Sequence, residues 1–169
     1  MSAVLAAWNE ADGPTAMEEM LTCCAARRWA QAMVALRPYS SVQSLSLTAN
    51  KVWSTMEEPD WLEAFAAHPR IGEHKAAAAK TAAEGWSRQE QSSTARAAKQ
   101  VLAALAAGNA QYEERFGFTY IVCATGKSAE EMLATLQRRL TSDREQELRE
   151  AAEQQRQIMQ IRLGKWLVQ

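Results

Sequence analysis

The sequence predicts an all-α fold, and three observations carry that expectation. Its 169 residues include 33 Ala against only 7 Val and 4 Ile, a bias toward residues that favour helix over strand. Only 7 Gly and 4 Pro punctuate the chain, and most of them fall where an apolar helical period breaks off. The length suits a single multi-helix domain, residues 1–169. A domain of about 150 residues buries roughly 70% of its unfolded surface and needs no disulfide or metal to fold.

Each element follows from its punctuation. Gly13-Pro14-Thr15 opens a helix that carries Met17, Met20 and Leu21, because proline is well placed in a first helical turn. A second helix covers about residues 25–36 and stops at Arg37-Pro38. Ser40-Ser41 caps a third, about residues 42–56, which ends before Glu58-Pro59. Asp60 then caps a short helix bearing Trp61, Leu62 and Phe65, broken by Pro69. Residues 73–85 are rich in Ala and Lys without an apolar stripe, a pattern that suits either a frayed helix or a loop.

The longest element begins at Ser87 and runs to about Arg115. The stretch from Phe116 to Cys123 alone has strand-like content, and it is either extended or a buried connection leading to Gly126. Ser128 caps a helix to about Leu140, and Ser142 or Asp143 caps the last, to about Trp166. No internal repeat or Pro/Ser linker divides the chain.

Charge and cysteine content exclude several function classes. Nineteen Lys and Arg balance twenty Asp and Glu, without the basic surplus of a nucleic-acid binder. No apolar run reaches the roughly 18 residues that a membrane span needs. The N-terminus lacks the basic region of a secretory signal, and Leu167-Val168-Gln169 is not a peroxisomal address. Three cysteines, two of them adjacent (Cys23, Cys24) and one alone (Cys123), form neither a disulfide framework nor a metal knuckle. All three read as buried apolar residues of a protein in a reducing cytoplasm.

Three polar residues occupy unusual places. On the helix from Ser87, the apolar face holds Ala97, Val101, Leu105, Tyr112 and Phe116. With Val101 as origin, Glu90 falls at about −20°, along that face rather than away from it. Ser87-Arg88-Gln89-Glu90 also has capping-box spacing, so Glu90 either caps the helix or faces a ligand. On the last helix the face holds Leu148, Ala152, Met159, Leu163 and Trp166, with Gln155 at about −20° and Arg162 at about −40° from Leu148. An arginine inside an apolar stripe meets the solvent edge, a protein carboxylate or a substrate anion. Of the two histidines, His74 reads as exposed, whereas His68 ends an apolar helix directly before Pro69. The helix C-terminus there favours a protonated imidazole. Their spacing of six is wrong for a shared metal on one helix face. The run from Asp143 to Glu147 reads as a solvated first turn, acidic as the helix dipole favours.

Taken together, the motifs resemble the OHCU decarboxylases (2-oxo-4-hydroxy-4-carboxy-5-ureidoimidazoline decarboxylases), which act late in urate breakdown. The resemblance runs through Cys23-Cys24, Trp29 and Arg37-Pro38-Tyr39. It continues through Asp60-Trp61-Leu62-Glu63-Ala64-Phe65, His68-Pro69-Arg70-Ile71-Gly72 and Ser87-Arg88-Gln89-Glu90-Gln91. Asn109, Tyr112, Phe116-Gly117-Phe118, Ile121-Val122 and Arg162-Leu163 complete it. Many relatives read FGFPF where this chain has Phe118-Thr119-Tyr120.

The resemblance implies an all-helical homodimer that decarboxylates a small-molecule substrate without metal or organic cofactor. It implies His68 and Glu90 as catalytic residues. It also implies a pocket formed by Pro69, Ser87, Gln91, Arg162 and the backbone of Tyr120, Ile121, Val122, Cys123 and Ala124. Two other readings remain open at this point. One is a lyase acting on a related ureide, and the other is a helical dimerisation module in which Glu90 and Arg162 pair structurally.

Overall fold

Eight helices account for the regular structure of the described residues, and no strand occurs among them. The computed structural model describes residues 2–71 and 88–169, with side chains from residue 96 onward in the second stretch. The Ala/Lys-rich stretch at 73–85 and the Ser87 cap therefore lie outside the described residues, as does His74. In chain order the helices are α1 (Ala3–Glu10), α2 (Gly13–Cys23), α3 (Arg27–Ala35), α4 (Val42–Trp53), α5 (Glu58–Ala66), α6 (Arg88–Phe116), α7 (Ala129–Arg139) and α8 (Arg144–Trp166). Contacts divide the chain into two compact units: Met1–Ala67 with Glu150–Gln169, and His68–Arg149.

The first unit packs α2 and α3 together, and sets α3 against α4 and α5. Its core is heavy in tryptophan, and each buried indole needs an acceptor. Trp8 donates to the Ala16 carbonyl at 3.1 Å, Trp29 to Ala49 at 3.1 Å and Trp53 to Ala152 at 3.0 Å, while Trp166 reaches the Glu19 carboxylate at 2.8 Å. No helix was expected in residues 1–10, yet α1 forms there and buries Leu5 and Trp8. The Arg37 guanidinium bonds the Trp8 carbonyl and, at 2.8 Å, that of Ala11, capping the end of α1 with charge of the favourable sign.

Helix starts follow the sequence closely; helix ends do so less. Asp12 caps α2 by accepting from Thr15 N at 2.8 Å, with Pro14 in the first turn. Ser41 caps α4 through Ser44 N at 3.0 Å. That helix stops at Trp53 rather than near Met56, because the Ser54 and Thr55 hydroxyls bond back to Lys51 and Val52 and tighten the last turn. Asp60 is not the cap of α5. It sits at the third helical position, and its carboxylate accepts the Glu57 N–H at 3.0 Å, so the helix starts three residues earlier than expected.

In the second unit, α6 packs on α7. Gly108 permits the close approach: a Cβ there would lie 2.7 Å from Leu136 Cδ2. Burial along α6 begins in earnest at Leu105 and includes Tyr112 and Phe116, whereas Ala97, expected on the apolar face, is exposed. The stretch after Phe116 is a buried connection, not a strand. Gly117 turns the chain at φ 82°, in the region only glycine adopts freely. Phe118 and Tyr120 then stack around Tyr112. Ser128 caps α7 by accepting Glu131 N at 3.1 Å, and Asp143, not Ser142, caps α8 through Gln146 N at 2.9 Å.

The expected solvated turn at the start of α8 holds only in part. Arg144, Glu145 and Gln146 are exposed, but Glu147 is fully buried. Its carboxylate meets Arg139 Nε at 2.9 Å and the Tyr112 hydroxyl, and Arg139 is itself fully buried. A charged group is tolerated in a core when paired and hydrogen-bonded, and α6, α7 and α8 together supply the partners.

Candidate active site

The structure places the expected site residues in three groups. His68 and Pro69 follow the end of α5, where Ala67 terminates the helix, and His68 is half-buried while Pro69 is exposed. A proline disfavours helical geometry in the residue before it, so the chain leaves the helix at His68. Residues 120–124 form the second group. Arg162, on α8, belongs to the first unit, whereas His68, Pro69 and residues 120–124 belong to the second. Glu90 and Gln91 fall in the first turns of α6, but their side chains, like all of Ser87, lie outside the described residues.

Tyr120, Ile121, Val122 and Cys123 are all buried, and the side chains around them hold their backbone at defined atoms. The Tyr120 N–H donates to Asn109 Oδ1 at 3.0 Å. The Ile121 carbonyl accepts from the Arg139 guanidinium at 2.6 Å, and the Tyr120 hydroxyl donates to the Met132 carbonyl at 3.0 Å. The Ala124 carbonyl accepts Lys127 N at 3.0 Å to close the turn at Gly126. Between these anchors, the Ile121 and Val122 N–H groups form no backbone–backbone hydrogen bond among the described residues. Buried amides are nearly always paired, so a rigid stretch with such donors suits recognition of a polar ligand.

Arg162 is half-buried and makes no hydrogen bond or ion pair among the described residues. It lies close enough to Cys23 and Cys24 for its charge to favour their thiolates, but burial dominates and pushes the Cys24 thiol up to about 12. All three cysteines are buried and none forms a disulfide among the described residues, as their apolar contexts predict. Among the described residues no three His, Cys, Asp or Glu side chains cluster as metal ligands would.

Residues outside the expected set also gather here. Arg70 and Ile71, continuing the turn after His68, border a cleft of about 740 Å³ whose other wall is the Leu102, Ala106, Asn109 and Glu113 face of α6. Arg70 grips Glu113 in two places, both at 3.0 Å, which holds the Glu113 carboxyl below the usual carboxylate range. None of the expected site residues lines this cleft. The one sequence signal for it was the Asn109/Glu113 spacing of four, which puts both side chains on one face of a helix.

Similarity to known proteins now bears on these residues. Residues 9–164 match the family model of the OHCU decarboxylases. The chain belongs to the OHCU decarboxylase family. It is 34% identical over 150 residues to the uric acid degradation bifunctional protein TTL of Arabidopsis thaliana, covering 88% of this chain and 46% of that protein. It is 26% identical over 157 residues to the uric acid degradation bifunctional protein PucL of Bacillus subtilis, covering 92% of this chain and 31% of that protein. The chain thus spans less than half the length of these two relatives. A solved OHCU decarboxylase, crystallised in the presence of (S)-allantoin, superposes with a TM-score of 0.73 at 30% identity, covering 90% of this chain and 99% of that one.

Proposed function

We propose that this chain decarboxylates 2-oxo-4-hydroxy-4-carboxy-5-ureidoimidazoline to (S)-allantoin in urate catabolism, without metal or organic cofactor. The observation that carries the reading is the family match over residues 9–164, which encloses every residue of the inferred site from His68 to Arg162. The half-buried imidazole and the anchored backbone at 120–124 support it.

Loss of CO2 leaves an electron pair that needs an acceptor, which many enzymes supply as a cofactor. This substrate carries its own: the carbon bearing the hydroxyl and carboxylate adjoins an unsaturated ring carbon. The carboxylate bond breaks and CO2 departs. The electron pair enters the ring and its C=N nitrogen takes a proton from solvent, leaving an enol. The adjoining carbon then takes a proton on one face as the hydroxyl gives up its own to become a carbonyl. The protein then has to orient the carboxylate, exclude water and deliver that proton.

In this scheme His68 orients the hydroxyl and carboxylate and acts in proton transfer. Glu90 holds ring or ureido N–H groups and sets the His68 protonation state. Gln91, Ser87, Pro69 and the backbone from Tyr120 to Ala124 meet the remaining substrate surface. Arg162, which makes no hydrogen bond or ion pair among the described residues, pairs with the substrate carboxylate or with Glu90. The reading includes a homodimer working in a reducing cytoplasm, a compartment that suits three cysteines that form no disulfide among the described residues.

Circular dichroism tests it directly. Substrate made freshly from urate should give a chiral allantoin signal only when the protein is present, since spontaneous decay gives racemate. A chelator should leave the rate unchanged. His68→Ala should lower kcat at least about a hundredfold, the range for an acid–base group. A near-native kcat in that variant, or a product identical to the blank, would remove this reading.

A further inference from the structure

We propose that Arg70, Glu113 and Asn109 form a side-chain clamp that positions the turn carrying His68 relative to the backbone at residues 120–124. They are positioning residues for the reaction proposed above, and the inference rests on that reading. The clamp can be followed atom by atom. Arg70, two residues beyond His68, donates from Nε and an Nη to the two oxygens of Glu113, each at 3.0 Å. Such a two-point grip fixes orientation as well as distance. Glu113 Oε1 also accepts, at a longer 3.4 Å, from the Asn109 side-chain amide one helical turn earlier. Asn109 is almost wholly buried, and its oxygen receives the Tyr120 N–H at 3.0 Å and the Thr119 hydroxyl at 3.3 Å.

Three side chains therefore connect the His68 turn to the first residue of the pocket-lining segment, and all of them lie in the His68–Arg149 unit. Pro69, with φ fixed by its ring, transmits the position of Arg70 to His68 with little slack. The Asn109 amide is engaged at both ends: its oxygen receives the Tyr120 N–H and its nitrogen reaches the Glu113 carboxylate. A purely stabilising role fits this arrangement poorly. The Arg70 side chain is 68% exposed, and exposed ion pairs contribute little to stability. Geometry at a reacting centre is far less forgiving, since a displacement of about 1 Å can lower a rate about a hundredfold.

The exposed end of the clamp is the place to test it, because Asn109 variants risk the fold. In the chiral allantoin assay, Glu113→Ala and Arg70→Ala should each lower kcat/KM about ten- to a hundredfold, with thermal midpoints within a few degrees of the parent. The loss should fall mainly on kcat if the His68 turn drifts, as expected for a group acting on the transition state. Arg70→Lys keeps the charge but not the two-point grip, and should recover only part of the rate. The reversed pair Arg70→Glu/Glu113→Arg should perform better than either alanine variant.

Wild-type kcat/KM in both alanine variants would overturn the clamp, as would a reversed pair no better than the worse of them. Activity lost only in proportion to a lowered midpoint would overturn it as well. His68→Ala separates this from failure of the parent reading. If His68→Ala is inactive and the clamp variants are normal, the clamp alone falls. If the wild-type protein makes no chiral product, both fall.

Discussion

Glu147 sits one residue beyond three exposed polar neighbours, in a turn whose composition reads as solvated, and it is nevertheless fully buried. Nothing local distinguishes it. Its burial comes from Arg139 and Tyr112, eight and thirty-five residues away in sequence, which arrive on other helices. Burial raises the Tyr112 hydroxyl pKa, and the neighbouring Glu147 carboxylate adds to that. Arg139 in turn stacks near the Tyr112 and Tyr120 rings and holds the Ile121 carbonyl. Removing one member of a buried pair strands the other charge, so Glu147→Ala should destabilise by about 3–5 kcal/mol in chemical denaturation. The paired change Arg139→Met/Glu147→Leu should cost less than Glu147→Ala alone, because it leaves no buried charge unmatched. A double variant at least as unstable as the single would show that the pair itself, rather than its balance, holds the core. By contrast, the half-buried settings of His68 and Arg162 were legible at this scale. Each is a polar residue in a place where helix period or a following proline constrains it.

At the scale of elements, starts were easier to read than ends. Asp12, Ser41 and Ser128 each accept the backbone N–H three residues on, a short-range interaction written in the sequence itself. The end of α4 depends on hydroxyls bonding backward, and α1 on tryptophan burial and an arginine from beyond α3. The packing of α6 on α7 was equally hidden, since a lone glycine inside a helix reads only as a weak point. Gly108→Ala poses the two effects against each other. Alanine gains about 1 kcal/mol in helix propensity, but its Cβ would lie 2.7 Å from a fully buried Leu136. Overpacking of that kind costs about 1–3 kcal/mol, so a net loss of stability is expected in denaturant titration. A stabilised Gly108→Ala protein would mean that the helices separate freely there.

For the whole molecule, titration offers a global check. Hydrogen bonds hold three carboxyls below their ordinary pKa: Asp12 through the Thr15 backbone, Glu113 through Arg70 and Glu153 through Arg156. Each lowered folded-state value gives stability that is complete above the unfolded pKa (3.8 for Asp, 4.5 for Glu) and is lost as pH falls through the folded one. Asp12 and Glu153 are exposed and Glu113 is half-buried, so the acid limb should be shallow. Burial acts in the opposite direction on Cys24 and Tyr39, raising them from 9.0 and 10.0 to about 12. Their contribution is complete below the unfolded values and declines as pH rises toward the folded ones. Unfolding free energy should therefore fall above about pH 9, and Cys24→Ala should flatten that decline. A pH-independent stability from 9 to 11 would contradict the assignment. The helical class, most helix starts, the buried cysteines and the family can be read from the chain alone, because they rest on local propensity, capping and motif. It took the packed fold to reveal that Glu147 is a core residue, that Gly108 is a packing contact, and that Arg70, Glu113 and Asn109 join two segments of the inferred site. Those facts depend on partners brought from distant parts of the chain, and a helical period records which face is apolar without recording what will meet it.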